Sequence, residues 1–428
     1  MIVSQGSPRQ VSPSHDRKVV RLFSRVVVVG LGYIGLPTAA ILADRRVRVH
    51  GVDLNPRTVE AVNAGTVPFV EPDLGDVLKR GVAAGLLSAS TTPVPAEVFI
   101  IAVPTPFTDD KQADLSYIES AATAIAEHLN GGELIILEST SPPGATEFVA
   151  EVIHRLRPDL VDAGLLFAHC PERVLPGRVM IELVENDRIV GGLTPQAAQA
   201  AADLYTLFCQ GEILLTDART AEMAKLVENS FRDVNIAFAN ELSIICDKLG
   251  IDVWELIELA NHHPRVNILQ PGPGVGGHCI AVDPWFIVSA ARDQAQLIRT
   301  AREVNDNKPS WVISKISDAT QGLTQPTVAM LGLAFKANID DLRESPALHI
   351  AHDYAADHPE TRVLAVEPNV KELPAILADL PNVHLTSLLD ALDTADTVVV
   401  LVDHDEFRAV PRDAVVNKSI IDAKGIWR

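Results

Sequence analysis

Short apolar runs alternate with segments of helical periodicity along most of the chain. The runs are rich in Val, Ile and Leu, which is typical of strands covered on both faces of a parallel sheet. We expect strands at 26–29, 47–52, 98–103, 134–137, 165–168, 328–331, 363–366 and 397–402, with helices at 36–44 and 116–129. The alternation predicts an α/β fold with two Rossmann-like, doubly wound parallel-sheet domains.

A much longer helical pattern lies between the two groups of strands and is expected to join them. Thr220 is its predicted N-cap residue and Gly250 its predicted end. Its polar residues Lys225, Asn229, Arg232 and Asn240 fall on nearly one face. They would form a solvated stripe in most helices, but segment 236–239 is apolar on all sides and favours burial. A buried stripe with Lys and Arg needs an anionic partner, and so long a helix would also suit a dimer contact.

A glycine-rich turn, GLGYIG, follows the first predicted strand. It contains Gly30, Gly32 and Gly35, and the second predicted strand ends in Asp53. Glycines in this order permit a tight turn in which a helix N-terminus meets a pyrophosphate, while the acid accepts hydrogen bonds from a ribose. A carboxylate there repels the 2′-phosphate of NADP, so we expect NAD, although Arg57 weakens the preference slightly. The full order of strand, turn, helix, strand and acid disfavours a merely tight turn.

Other strands of the first group also end in polar residues. Thr105 follows 98–103, Thr140 follows 134–137, and Glu172 with Arg173 follows 165–168. Ligands of open α/β sheets meet the carboxyl ends of the strands. The same residues are common in ordinary turns. Position rather than composition therefore favours Thr105 and Thr140 as cofactor contacts.

One cysteine, Cys279, stands in a segment too rich in Gly and Pro for a helix or strand. The segment is 261–285, with Asp283 four residues after the thiol and His263 and Arg265 upstream. A thiol in a polar loop lined by backbone is a candidate nucleophile. For a single cysteine taken alone, an inert buried thiol is the favoured interpretation.

The last third of the chain has a glycine turn of a different kind. Gly332 is followed by Lys336 and Arg343 rather than by further glycines. We expect the two basic residues to meet the phosphates or sugar of another nucleotide, without a backbone cradle for NAD. Two exposed basic residues on a loop are an equally good interpretation of this segment alone.

The composition excludes several classes of partner. A formal net charge of −20 disfavours nucleic acid and anionic membrane surfaces. No apolar run approaches the about 18 residues of a membrane span. The four cysteines show neither disulfide nor zinc-type spacing, so we expect no metal site and a reducing compartment. The first residues lack the apolar core of a signal peptide, and a cytoplasmic location is predicted.

Together the motifs resemble the UDP-glucose/GDP-mannose dehydrogenase family from about Arg25 to Trp427. The matching segments occur in the family's order and are GLGYIGLP, EST-PPG, PER, AEMAKLVENSFRDVNIAFANE, GPGVGGHCIAVDP and GLAFKANIDDLRESPA. With this resemblance the 428 residues divide into a flexible tail (1–22), an NAD-binding Rossmann domain (23–215), a central long-helix region for dimerisation and the catalytic loop (216–305), and a C-terminal UDP-sugar-binding Rossmann-like domain (306–428).

The resemblance implies that a primary alcohol at C6 of a UDP-sugar is oxidised to a carboxylate with two NAD+. Cys279 would hold the aldehyde as a thiohemiacetal and then as a thioester, so no free aldehyde is released. Lys225 would stabilise the oxyanion, and Asn229 would orient that oxygen or a water. Asp283 is expected to position the water and the lysine, with Glu172 as an acid–base candidate.

The remaining site residues are also implied by the resemblance. The nucleotide-sugar pocket would include Arg173, Val174, Lys225, Asn229, Arg232, His263, Arg265, Gly276, Lys336 and Arg343, with Arg265 acting across the interface of a homodimer. The NAD site would include Gly30, Gly32, Tyr33, Ile34, Gly35, Asp53, Thr105, Thr140 and Lys424.

Two positions of the segment 261–285, hereafter the cysteine loop, bear on the substrate. Family members that act on UDP-glucose usually have Lys where this chain has Val282, and those that act on UDP-N-acetyl-D-glucosamine usually have Pro in place of Ala281. The loop is most similar to members that oxidise UDP-N-acetyl-D-mannosamine, and the glucosamine epimer is the alternative substrate.

Two other classes of function remain open. A catalytically silent regulator would bind NAD and a nucleotide sugar without turnover, although it needs no nucleophile. A two-electron dehydrogenase of the hydroxyacid or phosphogluconate type would form one NADH and would not depend on Cys279.

Overall fold

The computed structural model describes residues 23–428 except 109, 176 and 278, and in this part the chain forms two compact units. The first unit holds the described residues up to Val103, together with Ser120–Glu138 and Ala150–Asp217. The second unit holds the described residues of Pro104–Glu119, Ser139–Val149 and Ala218–Arg428. The predicted tail, 1–22, lies outside the described residues.

The described first unit contains one sheet. Its strands are β1 (Arg25–Val29), β2 (Arg48–Val52), β3 (Leu87–Ser90), β4 (Val98–Ile101), β5 (Leu134–Leu137), β6 (Leu166–His169), β7 (Arg188–Gly192) and β8 (Ile213–Asp217). They lie in the order β3-β2-β1-β4-β5-β6-β7-β8. The strands from β3 to β6 are parallel, but β7 pairs antiparallel with β6 and parallel with β8. The predicted parallel sheet therefore has one antiparallel strand pair at this edge, which an apolar run could not predict because it carries no information on strand direction.

Helices cover this sheet because their apolar faces match the buried strands. They are α1 (Gly35–Asp44), α2 (Pro56–Asn63), α3 (Leu74–Ala83), α4 (Ser116–Ala126), α5 (Ala145–Leu156), α6 (Val179–Glu185) and α7 (Pro195–Tyr205), with a 3₁₀ helix at Pro158–Leu160. Two of them begin with matched caps. Asn55 accepts from the N–H of Arg57 before α2, and Thr194 accepts from Ala197 before α7. The first residues of α4 and α5 belong to the second unit.

The second unit combines long helices with a smaller parallel sheet. Its helices are α8 (Ala218–Leu249), α9 (Val253–Asn261), α10 (Asp283–Ala290), α11 (Gln296–Thr320), α12 (Pro346–Asp357), α13 (Ala375–Ala378), α14 (Leu388–Thr394) and α15 (Asp405–Arg408), with a 3₁₀ helix at Arg412–Val415. Its strands are β9 (Thr327–Leu331), β10 (Arg362–Val366), β11 (Val383–Leu385), β12 (Thr397–Val400) and β13 (Ser419–Asp422), in the order β11-β10-β9-β12-β13. Helix α11 runs through the predicted boundary at residue 305.

The long helix α8 differs from its prediction at its start and on one face. It begins at Ala218 rather than after Thr220, because β8 leads directly into it. It ends where Gly250 adopts a left-handed φ of +69°. Phe238 is 52% exposed and Arg232 is exposed, so the helix is not buried on all sides. The physical reason is that the helices packed against it, α9, α10 and α11, leave Arg232 and Phe238 uncovered.

None of the helices that the structure describes is both long enough and apolar enough to span a bilayer.

Candidate active site

The glycine turn after β1 fits the pyrophosphate of a dinucleotide. A Cβ on Gly30, whose φ is +93°, would lie 2.4 Å from the carbonyl oxygen of Ala102. A Cβ on Gly35 would lie 1.9 Å from the carbonyl oxygen of Gly30. The backbone therefore requires both glycines. Gly32 is different, because a Cβ there would project into open space in front of α1. That open space at a helix N-terminus is the cradle a pyrophosphate needs.

Asp53 stands at the end of β2, as the dinucleotide pattern predicts. Its Oδ2 accepts from the N–H of Leu31 at 3.0 Å and its Oδ1 from the N–H of Asn55 at 2.9 Å. The carboxylate is only half-buried, so it remains open to a ribose. Tyr33 stacks on Phe69 with ring centroids 4.2 Å apart. The remaining predicted turn residue, Ile34, is the N-cap residue of α1.

The predicted cofactor contacts Thr105 and Thr140 both belong to the second unit. The Oγ1 atom of Thr105 is buried and has no hydrogen-bond partner among the described residues. An unpaired buried hydroxyl is unfavourable unless a ligand or water pairs with it, which suits a cofactor contact. Thr140 is half-buried.

Sequence reasoning missed a residue that holds the loop after Thr140. Glu222 on α8 is fully buried, and its oxygens accept from the N–H groups of Gly144 and Thr146 at 2.7 Å each. The carboxylate thus satisfies donors at the start of α5. The available signal was an acid three residues before Lys225, on the same face of α8.

The structure brings four of the predicted catalytic residues into one cluster of the second unit. Asn229 on α8 donates from Nδ2 to Oδ2 of Asp283 at 2.5 Å. The N–H of Asp283 donates to the carbonyl oxygen of Cys279 at 2.9 Å. Lys225 lies one turn before Asn229 and is close enough for its charge to act on both Cys279 and Asp283. Asp283 begins α10, so the predicted irregular segment ends at Val282; Pro284 suits the first turn because it needs no N–H partner there.

Burial and neighbouring charges shift the pKa values in this cluster in opposite directions. Burial raises the pKa of Asp283 to about 6, against the hydrogen bond from Asn229 and the charge of Lys225. The Cys279 side chain is exposed at the surface. Its pKa is nevertheless raised, first because neighbouring atoms displace water from the sulfur and second because Asp283 is negative, whereas Lys225 and Arg343 lower it. Because the thiolate is the reactive form of a cysteine, these charges set the reactive fraction of this thiol.

The glycines before Cys279 allow its loop to pack against segment 333–346. A Cβ on Gly276 would lie 2.4 Å from the carbonyl oxygen of Glu344 and 2.7 Å from Cδ of Pro346. Gly277 has a φ of +83°, and a Cβ on it would lie 3.1 Å from the ring of Phe335. The two segments therefore touch backbone to backbone, a contact that only glycine permits.

A buried polar network holds the start of the same loop. The Oδ1 atom of Asn240 accepts from the N–H of Gly272 at 2.9 Å, and its Nδ2 donates to Asn305 at 2.8 Å. Asn305 donates to Asp233 at 2.8 Å, and Arg302 donates to the same carboxylate oxygen at 2.5 Å. Asn240 was expected to face an anionic ligand with the other polar residues of α8. Its partners are instead protein groups, because α11 packs against that part of the helix.

The glycine turn at Gly332, after β9, has a buried acidic residue beneath it. Glu367, one residue after β10, accepts from the N–H groups of Leu333 and Ala334 at 2.8 and 3.0 Å. It is 5% exposed, unlike the half-buried Asp53, so it is not open to a ribose. Lys336 is exposed on the following loop, and Arg343 forms an ion pair with Asp341 at 2.6 Å.

Glu172, Arg173 and Val174 lie in the first unit. Glu172 is buried and forms an ion pair with Arg188 at 2.9 Å. The carboxylate of Glu172 also accepts from the N–H of Arg173 at 2.7 Å. Val174 packs against the core of this unit. Their catalytic and substrate roles remain predictions.

The other predicted residues of the second unit occupy three further places. His263 and Arg265 are exposed on the turn after α9, where the N–H of Arg265 donates to Nδ1 of His263 at 3.4 Å. Arg232 is exposed on α8. Lys424, a predicted cofactor contact, forms an ion pair with Asp403 at 3.2 Å in the second unit. The roles of these four residues also remain predictions.

Comparison with known protein families decides the classification. Three models of the UDP-glucose/GDP-mannose dehydrogenase family match the chain in succession: the NAD binding domain at residues 24–209, the central domain at 219–307 and the UDP binding domain at 329–428. The chain belongs to this family. The resemblance found in the sequence, the α/β fold and the use of NAD are thereby confirmed, and the chain is an NAD-dependent nucleotide-sugar dehydrogenase.

Named relatives match nearly the whole chain. It is 56% identical over 419 residues to the NDP-N-acetyl-D-galactosaminuronic acid dehydrogenase of Ralstonia nicotianae, covering 96% of this chain and 98% of that protein. It is 55% identical over 421 residues to the UDP-N-acetyl-D-mannosamine dehydrogenase of Escherichia coli K12, covering 95% and 100%. A solved UDP-N-acetyl-mannosamine dehydrogenase from Staphylococcus aureus superposes with a TM-score of 0.83 at 43% identity, covering 94% of this chain and 95% of that one.

Proposed function

We propose that this nucleotide-sugar dehydrogenase oxidises C6 of UDP-N-acetyl-D-mannosamine to the uronate, through a covalent intermediate on Cys279. The observation that carries the proposal is the cluster in the second unit, where a surface thiol shares its surroundings with Lys225, Asn229 and Asp283. A simple two-electron dehydrogenase needs a hydride acceptor and a base but no thiol. A silent binding protein needs none of the four.

The chemistry balances with one thiol and two oxidations, and NAD+ supplies the hydride acceptor for each. The C6 alcohol loses a hydride and a proton to become an aldehyde. The Cys279 thiolate adds to that aldehyde carbon, forming a C–S bond and an alkoxide. Loss of a second hydride from this carbon gives a thioester. Water then attacks the carbonyl, the C–S bond breaks, and the carboxylate and the thiol are released.

The neighbours of Cys279 match these steps. The ammonium of Lys225 would stabilise the alkoxide and the oxyanion of hydrolysis. The amide of Asn229 already donates to Asp283, which fixes the direction of both side chains. With its pKa raised to about 6 by burial, Asp283 can exchange a proton with water near neutral pH better than an ordinary Asp. We assign Asp283 to orientation and activation of the hydrolytic water.

The nucleotide is assigned to the second unit. Lys336 and Arg343 extend from segment 333–346, which touches the cysteine loop at Gly276. Both cations lie in the part of the chain that matches the family's UDP binding domain. Basic side chains next to the contact at Gly276 suit a diphosphate. They supply positive charge at a place where the backbone can come close to the phosphates.

The identity of the sugar is inferred from the named relatives and from the cysteine loop. The mannosamine substrate is supported by the E. coli and S. aureus relatives named for it and by Ala281 and Val282 in the cysteine loop. A second candidate is the galacto series, because the Ralstonia relative is equally similar. Initial rates with the UDP-N-acetyl derivatives of mannosamine, glucosamine and galactosamine, and with UDP-glucose, separate the candidates. A rate no higher with the mannosamine nucleotide than with the others overturns our choice.

We further propose that the protein is a homodimer joined through α8. The helix carries a row of exposed apolar side chains at spacings of 4, 7, 7 and 4 residues, namely Val227, Phe231, Phe238, Ile245 and Leu249. Such a row is typical of a helix that packs against another helix. Phe231→Glu together with Phe238→Glu is expected to give monomers in sedimentation velocity. Leu389→Glu, at an exposed position of α14, is expected to leave the dimer intact. A monomeric parent protein contradicts the proposal.

The reaction itself is tested by its stoichiometry. With NAD+ in excess, two NADH should form per sugar consumed. Cys279→Ala should stop formation of the acid. One NADH per sugar, with a rate independent of Cys279, would select the two-electron alternative, and nucleotide binding without any NADH would select the silent regulator.

A further inference from the structure

A buried histidine lies directly beneath the loop that carries Lys336. His404 is 1% exposed and sits between two partners of opposite kind. The N–H of Asn338 donates to its Nδ1 at 2.9 Å, and its Nε2 lies 3.1 Å from Oε2 of Glu367. The ring is also packed edge-on against Phe407, with centroids 5.2 Å apart. His404 is therefore held from several sides.

The partners leave one hydrogen arrangement for the ring. A backbone N–H can only donate, so Nδ1 must present its lone pair to Asn338. The carboxylate of Glu367 is an acceptor that already receives two backbone N–H groups, so Nε2 must carry the proton and donate. Protonation of both nitrogens would set two donors against each other at Asn338. The site therefore requires the neutral tautomer with its proton on Nε2.

Asn338 is the point at which this bond acts on the loop. Its φ is +61°, a left-handed conformation, and its Oδ1 accepts from the N–H of Asp405 at 3.1 Å. Two hydrogen bonds thus tie Asn338 to residues 404–405. Lys336 lies two residues before this tether, and Phe335 lies three residues before it, against the glycines of the cysteine loop.

We propose that His404 is a positioning residue, whose Nδ1 acceptor fixes Asn338 and so places Lys336 for the nucleotide and Phe335 beneath Gly276 and Gly277. Glu367 acts behind it by holding the ring in the required tautomer. The inference rests on the proposed function, because Lys336 is assigned there to a UDP-sugar.

Two conservative variants separate the two nitrogens. In the His404→Asn variant, the side-chain Oδ1 lies near the position that Nδ1 occupies in the parent ring. This variant therefore keeps an acceptor for the N–H of Asn338. In the His404→Gln variant, the side-chain amide nitrogen lies near the position that Nε2 occupies in the parent ring. This variant keeps the donor to Glu367 but loses the acceptor for the N–H of Asn338. A residue with a merely structural role would change the melting temperature without separating the two variants in nucleotide binding.

The experiment measures UDP binding by isothermal titration calorimetry on the full chain, with NAD+ binding as the internal control. We expect His404→Asn to bind UDP within about threefold of the parent and His404→Gln to bind it about tenfold more weakly, the factor that one hydrogen bond supports. NAD+ affinity should not change in either variant. Equal UDP affinities in parent and His404→Gln, or a greater loss in His404→Asn, overturn the inference. A parent that neither binds UDP nor oxidises a UDP-sugar overturns the proposed function instead.

A measurement on the parent protein covers the case in which the variants do not fold. Two-bond ¹⁵N–¹H spectra of protein labelled in histidine distinguish the tautomers. Nuclear Overhauser contacts between the His404 ring and the ring of Phe407, whose centroid is 5.2 Å away, identify the His404 signal in the parent protein. The His404 signal should show its proton on Nε2 and a lone pair on Nδ1. A proton on Nδ1 of His404 refutes the required tautomer and with it the inference.

Discussion

The contact between the cysteine loop and segment 333–346 makes Gly276→Ala an informative change. The φ of Gly276 lies outside the left-handed region, so alanine brings no backbone strain of its own. Its Cβ would instead meet the carbonyl oxygen of Glu344 at 2.4 Å and Cδ of Pro346 at 2.7 Å. Ordinary van der Waals contact begins near 3.4 Å. The two segments must therefore separate by about 1 Å at the oxygen.

The size of the effect follows from that displacement. The atoms in the way belong to backbone and a proline ring, which cannot rotate aside as a flexible side chain can. Forcing an extra methyl group into such a packed contact costs about 1–3 kcal/mol. If the loop must return to its present position for catalysis, kcat/KM falls by about 5- to 150-fold.

The assay is the initial rate of NADH formation with UDP-N-acetyl-D-mannosamine, after circular dichroism has shown that the variant is folded. Gly272→Ala is the matched control in the same loop. A Cβ there would approach no atom closer than 3.8 Å, and its N–H remains available to Asn240. The reasoning is refuted if Gly276→Ala keeps the parental kcat/KM, or if both alanine variants lose the same amount.

Three further predictions concern charge and burial. Asp283→Asn removes a negative charge that raises the pKa of Cys279, so alkylation by iodoacetamide at neutral pH should be faster; an equal or slower rate contradicts this. Burial lowers the pKa of Lys308 from 10.5 to about 7. The unfolded chain then binds more protons between these values, and stability rises with pH there. Lys308→Met should thus gain most in melting temperature, relative to the parent, at pH 7 and progressively less toward pH 10; a difference independent of pH contradicts this. Asn240→Asp keeps the acceptor for Gly272 but loses the buried donor, and should lower the unfolding free energy by about 1–3 kcal/mol in urea titrations; an unchanged value contradicts it.

The sequence alone sufficed for features that depend on neighbours along the chain. The first glycine turn could be predicted because Gly30, Gly35 and Asp53 act within one strand–helix–strand unit. The end of α8 could be predicted from Gly250 for the same reason. The family resemblance extended this local information to the whole chain.

Features that depend on distant partners could not be predicted. Asn240 could be placed on a face of α8, but its partner Asn305 is 65 residues away. The pairing of Glu367 with His404 spans 37 residues, and neither residue carries a local motif. Strand β7 is a further example, because its direction depends on how the chain returns to the sheet edge.

The exposed side chains of α8 show a different limit of prediction from the sequence. An apolar segment such as 236–239 predicts burial, but not whether the covering surface belongs to the same chain. Phe238 is 52% exposed and Phe231 68% exposed in the single chain. We expect a second copy to supply the missing surface.

The central claim is that the sulfur of Cys279 carries the sugar between the two oxidations, and mass spectrometry of the acid-quenched enzyme tests it most directly. The parent is mixed with UDP-N-acetyl-D-mannosamine and NAD+, quenched during turnover and digested. The peptide that contains Cys279 should carry the added mass of the nucleotide-sugar acyl group, and the Cys279→Ala peptide should not. An unmodified Cys279 peptide at every quench time, while two NADH form per sugar, would contradict the account.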